Sequence, residues 1–326
     1  MDFHLEFTPR PFASKIKHSD QFFLAGSCFT EQIGQKLAAH KFRIIDNPNG
    51  ILFNPISIAK SIISYIENKR YTEADLFYHN ELWGSWEHHT RFSSVHAADC
   101  LQKINDSQEA ANSFLQKADW LLLTLGSAFV YELENKQVVA NCHKVPTDKF
   151  RKRLLPVDEV ITTLDTLVYR LKQFNPALQV IFTVSPVRHL RDGFVENNRS
   201  KATLLNAVHH VVDKFDKLFY FPAYELVIDD LRDYRFYAED MVHPNYAATN
   251  YVWEKFVGAC IEESSKDLMA EMYKINAAMQ HKPFNPDSAA HKNFKSKYLQ
   301  VCVALQEKYS WLDLSREINF FSGHQL

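Results

Sequence analysis

This sequence has no large excess of positive or negative charge. Its 37 Lys and Arg residues stand against 39 Asp and Glu residues, so the formal net charge is −2. Neither sign forms a long run along the chain. Proteins that bind nucleic acids or anionic membranes carry a basic patch or stripe, and this balance argues against one. We therefore expect no nucleic-acid partner and no membrane partner.

Cysteine is scarce. The five cysteines are an odd number, lie far apart along the chain and form no CxxC pair. No HxH or HExxH string is present either. Neither a disulfide framework nor a zinc site follows from such a pattern. We expect isolated thiols in a reducing compartment, no metal and no cofactor.

Long hydrophobic runs are absent as well. No window approaches the roughly 18 uninterrupted apolar residues of a membrane span. Residues 1–20 are broken by Pro9, Pro11 and charged side chains, whereas a signal peptide would need an apolar core there. We expect a cytoplasmic protein, and its hydrophobic fraction of 46% is that of an ordinary globular chain.

Short apolar runs alternate with helical patterns over most of the chain. Apolar runs predict strands at 21–27, 43–46, 118–128 and 178–186, and a last strand with its exit loop over 217–227. Helical spacing predicts helices at about 28–42, 55–67, 158–174 and 199–215. Strands joined by helices form a parallel sheet that is covered by helices on both faces. The sequence therefore predicts an α/β domain.

The alternation ends at about residue 260. We predict one α/β domain over 1–260 and a helical extension over 261–326, because only helical patterns follow. The extension is expected to pack either on the sheet domain or on another subunit. The second arrangement would make the protein a homodimer.

Residues 70–105 interrupt the alternation. The stretch is rich in Trp and contains histidines at positions 79, 88, 89 and 96, without clear helical periodicity. Adjacent residues point to opposite sides of a strand, so the pair at 88 and 89 is a poor chelate. We interpret the stretch as an insertion that shapes a substrate site, in preference to a structural zinc site.

Ser27 follows the first predicted strand and opens the first predicted helix. Parallel sheets bind ligands at the carboxyl ends of their strands, and N–H groups at a helix start can stabilise a developing negative charge. The neighbouring Cys28 is expected to point back under the turn. A serine that merely caps the helix would occupy the same position, so Ser27 alone does not indicate catalysis.

A carboxylate and a histidine lie near the end of the predicted α/β domain. Asp240 and His243 are three residues apart, just before a helix that begins with proline. This spacing lets the carboxylate hold the ring in one tautomer, so the other ring nitrogen can take a proton from a serine. A solvated carboxylate beside a structural histidine is the alternative. Combined with Ser27, the pair favours a serine hydrolase.

Five segments carry a resemblance to a known family. They are GSCF at 26–29, TLGSAFVYE at 124–132, ANCHKVP at 140–146, SPVRH at 185–189 and DMVHPN at 240–245. In these segments the chain resembles the GSCFA family, a branch of the SGNH/GDSL-type hydrolases. The resemblance implies a flavodoxin-like three-layer α/β/α sandwich in which Ser27 attacks an acyl carbon. It further implies that His243 is the general base and Asp240 its orienting carboxylate.

The resemblance also implies an oxyanion hole, and this chain departs from the pattern there. The superfamily combines the N–H of the serine, the N–H of a glycine after the second strand and an asparagine side chain from a GxND block. Gly50 matches the glycine, whereas the block reads GSAF at 126–129. Losing one such donor costs roughly 2.7–4 kcal/mol of transition-state stabilisation. We therefore predict that Asn141 replaces the amide, with Asn54 as the next candidate.

Other polar residues are weaker candidates for substrate contacts. His143 and Lys144 follow Asn141 directly, and they either line the same pocket or form an exposed pair. The remaining candidates are Ser185, His89 and Arg91 for substrate binding, and Arg188 and His189 at the rim. Turn and capping roles are the competing explanation for the residues of 185–189.

The combined pattern predicts a serine esterase or deacylase. Its expected partner is a small-molecule or glycan ester, for example an acetyl group on a carbohydrate. An O-acyltransferase on the same fold is one alternative. A non-catalytic binding protein that has lost the oxyanion hole is the other, because the GxND amide is missing.

Overall fold

The computed structural model describes residues 4–323. In this range the strands are β1 (Gln21–Gly26), β2 (Arg43–Asp46), β3 (Phe77–His79), β4 (Leu82–Gly84), β5 (Trp120–Leu125), β6 (Phe129–Glu132), β7 (Val138–Val139), β8 (Arg151–Leu154), β9 (Gln179–Val184) and β10 (Leu218–Tyr220). The α-helices are α1 (Cys28–Ala39), α2 (Pro55–Ile66), α3 (Ala97–Leu115), α4 (Val157–Phe174), α5 (Phe194–Lys214), α6 (Ala223–Glu225), α7 (Tyr246–Cys260), α8 (Glu263–Gln280), α9 (Ala289–Lys308) and α10 (Ser315–Ser322). None of these helices is both long and apolar enough to cross a bilayer.

Five strands form a parallel sheet in the order β10-β9-β5-β1-β2. Counted among themselves along the chain, these strands have the order 2-1-3-4-5 of flavodoxin-like folds. The order reverses between β1 and β5, and a crevice opens at the carboxyl ends of strands where such a reversal occurs. The predicted fold class is confirmed, and the reversal point indicates where a ligand would bind.

Alternate residues of each strand are buried on opposite faces of the sheet. In β1, Phe23 and Ala25 pack into a core shared with α2, α4 and α5. Phe22 and Leu24 pack into a second core shared with α1 and α7. Both faces are covered, which is why all six residues of β5 are buried and why the central strands read as continuous apolar runs.

Strand β1 ends at a glycine whose position tolerates no side chain. Gly26 has φ of +141°, and a Cβ built on it would lie 2.2 Å from the backbone oxygen of Thr124 in β5. The N–H of Ser27 donates to the same oxygen at 3.1 Å. This close approach sets the point at which the chain leaves β1 and enters α1.

The loop after β2 is bonded to the ends of β1 and β5. The side-chain oxygen of Asn47 accepts the N–H of Gly26 at 2.8 Å, and the N–H of Leu52 donates to Gly26 O at 2.9 Å. Further along, Phe53 O accepts the N–H of Gly126 at 2.8 Å. The loop therefore forms one wall of the crevice between the two strands.

The prediction of an irregular insertion over 70–105 is wrong at its end, because α3 begins at Ala97. The buried residues of this helix are Cys100, Ile104, Gln108, Ala111 and Leu115. Gln108 interrupts the apolar stripe, and its amide donates to Ser64 O at 2.5 Å. Because Gln108 is polar, the buried face of α3 does not appear as a continuous apolar stripe in the sequence. The hydrogen bond that allows its burial is made to a residue far away along the chain.

The helices α8, α9 and α10 share a hydrophobic cluster of their own. This cluster adjoins the α/β domain at the end of α1. There His40 Nδ1 lies 3.0 Å from Met269 O, and Lys41 forms a 2.8 Å ion pair with Glu317. The extension thus contacts the sheet domain of its own chain, which is one of the two predicted arrangements.

Replacing Gly26 by Ala tests the close approach of β1 to β5. The added methyl group would meet a backbone oxygen at a φ that L side chains rarely adopt. We expect the free energy of unfolding, measured with urea, to fall by about 3 kcal/mol or more. The matched control is Gly258→Ala in α7, where no described atom beyond the neighbouring helix backbone lies within 4 Å of the added Cβ and a gain of up to about 1 kcal/mol is expected. Equal unfolding midpoints for the two variants would contradict this account.

Candidate active site

Ser27 lies at the carboxyl end of β1, where the strand order reverses. It occupies the N-cap position of α1, yet its hydroxyl caps no backbone N–H. The residue is 1% exposed, and Oγ has no hydrogen-bond partner within residues 4–323. A buried polar group without a partner costs about 1–3 kcal/mol, so helix capping does not account for this serine.

Asp240 and His243 lie on the loop that precedes α7. Asp240 Oδ2 is 2.6 Å from His243 Nδ1, while Oδ1 accepts the N–H of Val242 at 2.9 Å and that of His243 at 3.0 Å. The backbone N–H and the ring of His243, together with the N–H of Val242, lower the pKa of Asp240 to about 2. An ionised carboxylate keeps the proton on Nδ1 and leaves Nε2 as an acceptor.

The loop that carries His243 is attached to the loop that follows β9. The N–H of Arg188 donates to Val242 O at 3.2 Å, and the guanidinium of Arg188 lies 4.0 Å from the ring centre of Tyr237. These contacts hold the loop of His243 against the segment that carries His189.

His189 brings a second imidazole close to Ser27. A Cβ built on Gly126 would lie 3.3 Å from Ser27 Cβ and 3.4 Å from His189 Nε2, so both side chains approach the same glycine. Nε2 is buried and has no hydrogen-bond partner in the described part of the chain. Burial, followed by the charge of Lys201, lowers the pKa of His189 to about 4. The ring is therefore neutral at physiological pH.

A buried lysine joins the ends of the two central strands. Lys201 on α5 is 1% exposed, and its Nζ donates to Gly126 O at 2.7 Å and to Ser185 O at 2.6 Å. No carboxylate pairs with it among residues 4–323. Burial lowers the pKa of Lys201 to about 7, and the nearby Cys28 opposes this shift. The ammonium group thus holds β5 and β9 together at the edge where Ser27 lies.

Both backbone N–H groups predicted for the oxyanion hole are bonded to protein oxygens. The N–H of Ser27 donates to Thr124 O at 3.1 Å, and the N–H of Gly50 donates to Asn47 O at 2.7 Å. Gly50 has φ of +84°, and a Cβ there would lie 2.1 Å from His89 Cβ. In this conformation neither N–H is available to a substrate oxygen.

Asn141 and Asn54 both line a cavity of about 250 Å³ that adjoins His189. Asn54 caps α2, with Oδ1 accepting the N–H of Ser57 at 2.8 Å and Nδ2 donating to Ser57 Oγ at 3.0 Å. Asn141 Oδ1 accepts the N–H of His143 at 2.8 Å, whereas its Nδ2 has no partner among the described residues. Among the described residues, Asn54 thus donates one of its two amide N–H groups to Ser57, whereas Asn141 donates neither.

The cavity extends over the small sheet that follows β5. Its lining residues are Phe53, Asn54, Ser127, Phe129, Tyr131, Val139, Ala140, Asn141, Cys142, Lys152, His189, Arg191 and Asp192. Phe53 Cδ1 lies 3.2 Å from the Cβ position of Gly126, the glycine that also packs against Ser27. An ion pair between Lys152 and Asp192 contributes charge to the lining. Phe53 and His189, which line the cavity, therefore approach the same glycine as Ser27.

Two predicted substrate contacts lie away from this cavity. Ser185 is fully buried, and its hydroxyl accepts the N–H of Val187 at 3.3 Å, which is the turn role. His143 Nε2 lies 2.9 Å from Ser85 O. The ring faces a second cavity of about 340 Å³, which Lys144 also lines. His143 and Asn141 thus face different cavities.

His89 and Arg91 attach the insertion to the turn after β2. The N–H of His89 donates to Asn49 O at 2.8 Å, and the guanidinium of Arg91 donates to the backbone oxygen of Asn47. Neither residue lines the 250 Å³ cavity. Within residues 4–323, no group of three or more His, Cys, Asp or Glu side chains is arranged to hold a metal ion.

The sequence patterns predicted His189 only as a residue at the rim of the site, and they did not indicate Lys201 as a site residue. The signal for His189 was its place in the SPVRH segment directly after a strand end. The signal for Lys201 was the stripe of α5 that is buried, namely Asn197, Ser200, Lys201, Leu204, Ala207, Val208 and Val211. A lysine in such a stripe has to find backbone oxygens as partners, because burying an unpaired charge is costly.

The fold and the site together define a flavodoxin-like α/β protein with Ser27 and His189 at the strand-order reversal, an Asp240–His243 pair on the loop before α7 and a helical extension. The chain belongs to the GSCFA family. The model described as "GSCFA family" matches residues 21–256, and the model described as "GSCFA domain protein, C-terminal domain" matches residues 272–323.

Among solved structures, the chain is similar to two esterases at low identity. One is a carbohydrate esterase family 3 protein from Talaromyces cellulolyticus, with 10% identity, a TM-score of 0.35 and coverage of 78% of this chain and 99% of that one. The other is an acetyl xylan esterase from the rumen bacterium Butyrivibrio proteoclasticus, with 9% identity, a TM-score of 0.37 and coverage of 74% and 63%. A comparison with curated proteins finds no match.

Replacing Lys201 by Met tests whether the buried ammonium group sets a pH dependence of stability. The pKa of Lys201 in the folded state, about 7, lies below its ordinary value of 10.5. Between these values the unfolded chain binds more protons, so the free energy of unfolding rises with pH, by up to about 1.4 kcal/mol per pH unit. The rise is absent below the folded pKa, where both states hold the proton.

Denaturant unfolding of the wild type and Lys201→Met between about pH 6 and about pH 10 measures this term. We expect the variant to lose the rise, and the exposed Lys103→Met to keep it. The same pH dependence in the wild type and in Lys201→Met would show that the lysine is not the source.

Proposed function

We propose that this protein is a serine esterase in which Ser27 is the nucleophile, His243 the general base and Asp240 the carboxylate that orients it. The main support is the 2.6 Å contact between Asp240 Oδ2 and His243 Nδ1, together with a buried Ser27 hydroxyl that has no partner in the described chain. Structural serines and histidines normally satisfy their polar atoms. An unsatisfied hydroxyl on the family's characteristic strand-to-helix turn is more consistent with a nucleophile.

The reaction starts with the proton on Ser27 Oγ. His243 Nε2 takes this proton while Oγ forms a bond to the acyl carbon, and the C=O electron pair moves onto the carbonyl oxygen. As the tetrahedral intermediate collapses, the bond to the leaving alcohol breaks and His243 returns the proton to that alcohol. Water then attacks the acyl-serine by the same steps and releases a carboxylic acid and free Ser27.

Substrate binding has to change the conformation of this site. Ser27 is 1% exposed, and its hydroxyl is not hydrogen-bonded to His243, whose side chain is 45% exposed on its loop. Catalytic hydrogen bonds often tighten only in the substrate complex. We therefore expect the loop of His243 and the side chains between Ser27 and the cavity to move when an ester binds.

The cavity favours a small substrate group. Its volume of about 250 Å³ is below the roughly 300–1,000 Å³ of sites for drug-sized ligands. Phe129 and Tyr131 supply aromatic surface, and Asn141 and the pair of Lys152 with Asp192 supply hydrogen-bonding groups. This combination suits a short acyl group on a polar alcohol, and we propose acetyl on a carbohydrate as the substrate class.

A non-catalytic binding protein is the second candidate. It is favoured by the N–H groups of Ser27 and Gly50, which are both bonded to protein oxygens. Such a protein would keep the crevice as a ligand site and would not activate the serine.

Replacing Ser27 by Ala removes the proposed nucleophile. We expect kcat for p-nitrophenyl acetate to fall by at least about 10³-fold without a loss of stability, and covalent labelling by a fluorophosphonate to disappear. Cys28→Ala is the matched control and should keep both turnover and labelling. Undiminished hydrolysis by Ser27→Ala would exclude the serine. A folded wild type that neither hydrolyses the ester nor reacts with the probe would favour the binding protein.

Replacing Asp240 by Asn tests the orienting carboxylate. The change keeps an oxygen for the N–H groups of the loop but removes the charge that holds Nδ1–H. We expect kcat to fall about 10²–10⁴-fold with little change in KM. The nearby Asp233→Asn, which removes an exposed pair with Arg235, should leave kcat unchanged. Wild-type kcat in Asp240→Asn would eliminate the dyad.

A further inference from the structure

The two backbone N–H groups predicted to stabilise the negative charge of ester cleavage are unavailable in this site. The N–H groups of Ser27 and Gly50 are bonded to protein oxygens, and the segment that would carry an amide side chain reads GSA at 126–128. In that segment Ser127 Oγ lies 3.3 Å from Ser200 Oγ and accepts the N–H of Phe129. A tetrahedral intermediate on Ser27 therefore needs a donor from another element.

His189 brings a ring nitrogen to the segment where the amide is missing. Its Nε2 lies 3.4 Å from the Cβ position of Gly126, the first residue of that segment, and Ser27 Cβ lies 3.3 Å from the same position. Nε2 is buried without a partner among residues 4–323, and His189 lines the cavity. An unpaired buried polar atom costs about 1–3 kcal/mol, and a substrate oxygen would remove that cost.

One contact fixes the backbone of His189 and another packs against its ring. The side-chain oxygen of Asn197, a buried residue of α5, accepts the backbone N–H of His189 at 2.9 Å. The ring meets Phe53 edge-on, with 5.4 Å between ring centres and 79° between planes. A donor held in advance loses less free energy to reorganisation when charge develops on the substrate.

Burial is the main reason that the His189 ring stays neutral, and it lowers the pKa of His189 to about 4. Lys201 on α5 and Lys152 on β8 act in the same direction, as does His243 on the neighbouring loop once its ring has taken up a proton. A neutral imidazole has one N–H, and Nε2 can carry it. The same positive groups favour a nearby negative charge.

We propose that His189 donates its Nε2–H to the ester carbonyl oxygen as that oxygen becomes negative, and so replaces the amide that this chain lacks. The inference rests on the proposed function, because it requires an acyl carbon attacked by Ser27. His189 keeps its proton throughout: the hydrogen bond shortens as the tetrahedral intermediate forms and lengthens when it collapses. All proton exchange is left to His243.

His189 is poorly suited to be the base itself. The nearby Lys201 and Lys152 act against a positive charge on its ring, and no carboxylate is bonded to the ring within the described residues. His243, in contrast, has Asp240 on Nδ1. The two imidazoles are thus held in different states for different tasks, one to accept a proton and one to donate a hydrogen bond.

Three substitutions of His189 separate the donor from the packing of the ring. Ala removes both, Gln can place an amide nitrogen near the position of Nε2, and Asn reaches only the position of Nδ1. We expect His189→Ala to lower kcat and kcat/KM for p-nitrophenyl acetate by about 10²–10³-fold each, with KM unchanged. Binding of a trifluoromethyl ketone analogue should weaken by the same factor. Gln should restore most of the loss and Asn little of it.

His18→Gln is the matched control. His18 is also buried, with a pKa lowered to about 4 by burial, but it precedes β1 at the opposite end of the strand from Ser27. Its ring stacks on Phe42 with 4.3 Å between centres. We expect this variant to lose stability and to keep the wild-type kcat.

The outcomes distinguish this inference from the esterase proposal. Wild-type kcat in His189→Ala, in a protein that Ser27→Ala inactivates, would overturn the donor role and leave the esterase intact. Equal losses for Gln and Asn, with unchanged binding of the ketone, would overturn it as well, because the loss would then come from packing. Full turnover in Ser27→Ala would overturn the esterase itself. If the Ala variant does not fold, the comparison of Gln with Asn still decides.

Discussion

The close approach of β1 to β5 is the constraint on which the rest of the site depends. Thr124 O lies where a side chain on Gly26 would be, and the same oxygen accepts the N–H of Ser27. The chain has to leave β1 at this point, at the reversal of strand order, where a parallel sheet opens its crevice. The same contact that places the serine in the crevice also occupies its backbone N–H.

Backbone oxygens and polar side chains hold the edge of the crevice together. Lys201 bonds the ends of β5 and β9, Asn47 bonds the end of β1, and Arg188 attaches the loop of His243. Joining two strands through a buried lysine costs free energy, because burial disfavours the charge of the ammonium group and no carboxylate among the described residues offsets it. Its positive charge also acts on His189, so the group that joins the strands also sets the electrostatics of the crevice.

His243 and His189 illustrate how position assigns chemistry to identical side chains. His243 lies on an exposed loop with an ionised carboxylate on one ring nitrogen, which prepares the other nitrogen to accept a proton. His189 is buried among positive charges and stays neutral, which suits a hydrogen-bond donor. Burial and neighbouring charge, and not the residue type, produce this difference.

Local sequence determined the five strands of the parallel sheet, most helices, and the serine and Asp240–His243 strings, because each depends on residues adjacent in the chain. Only the tertiary structure decided that α3 is a helix whose buried Gln108 finds a hydrogen-bond partner. It also decided that the N–H of Ser27 is bonded to a neighbouring strand. Finally, it decided that His189 and Lys201 both approach Gly126. Hydrogen-bond partners and pKa values depend on burial and on groups distant along the chain, which no local pattern records.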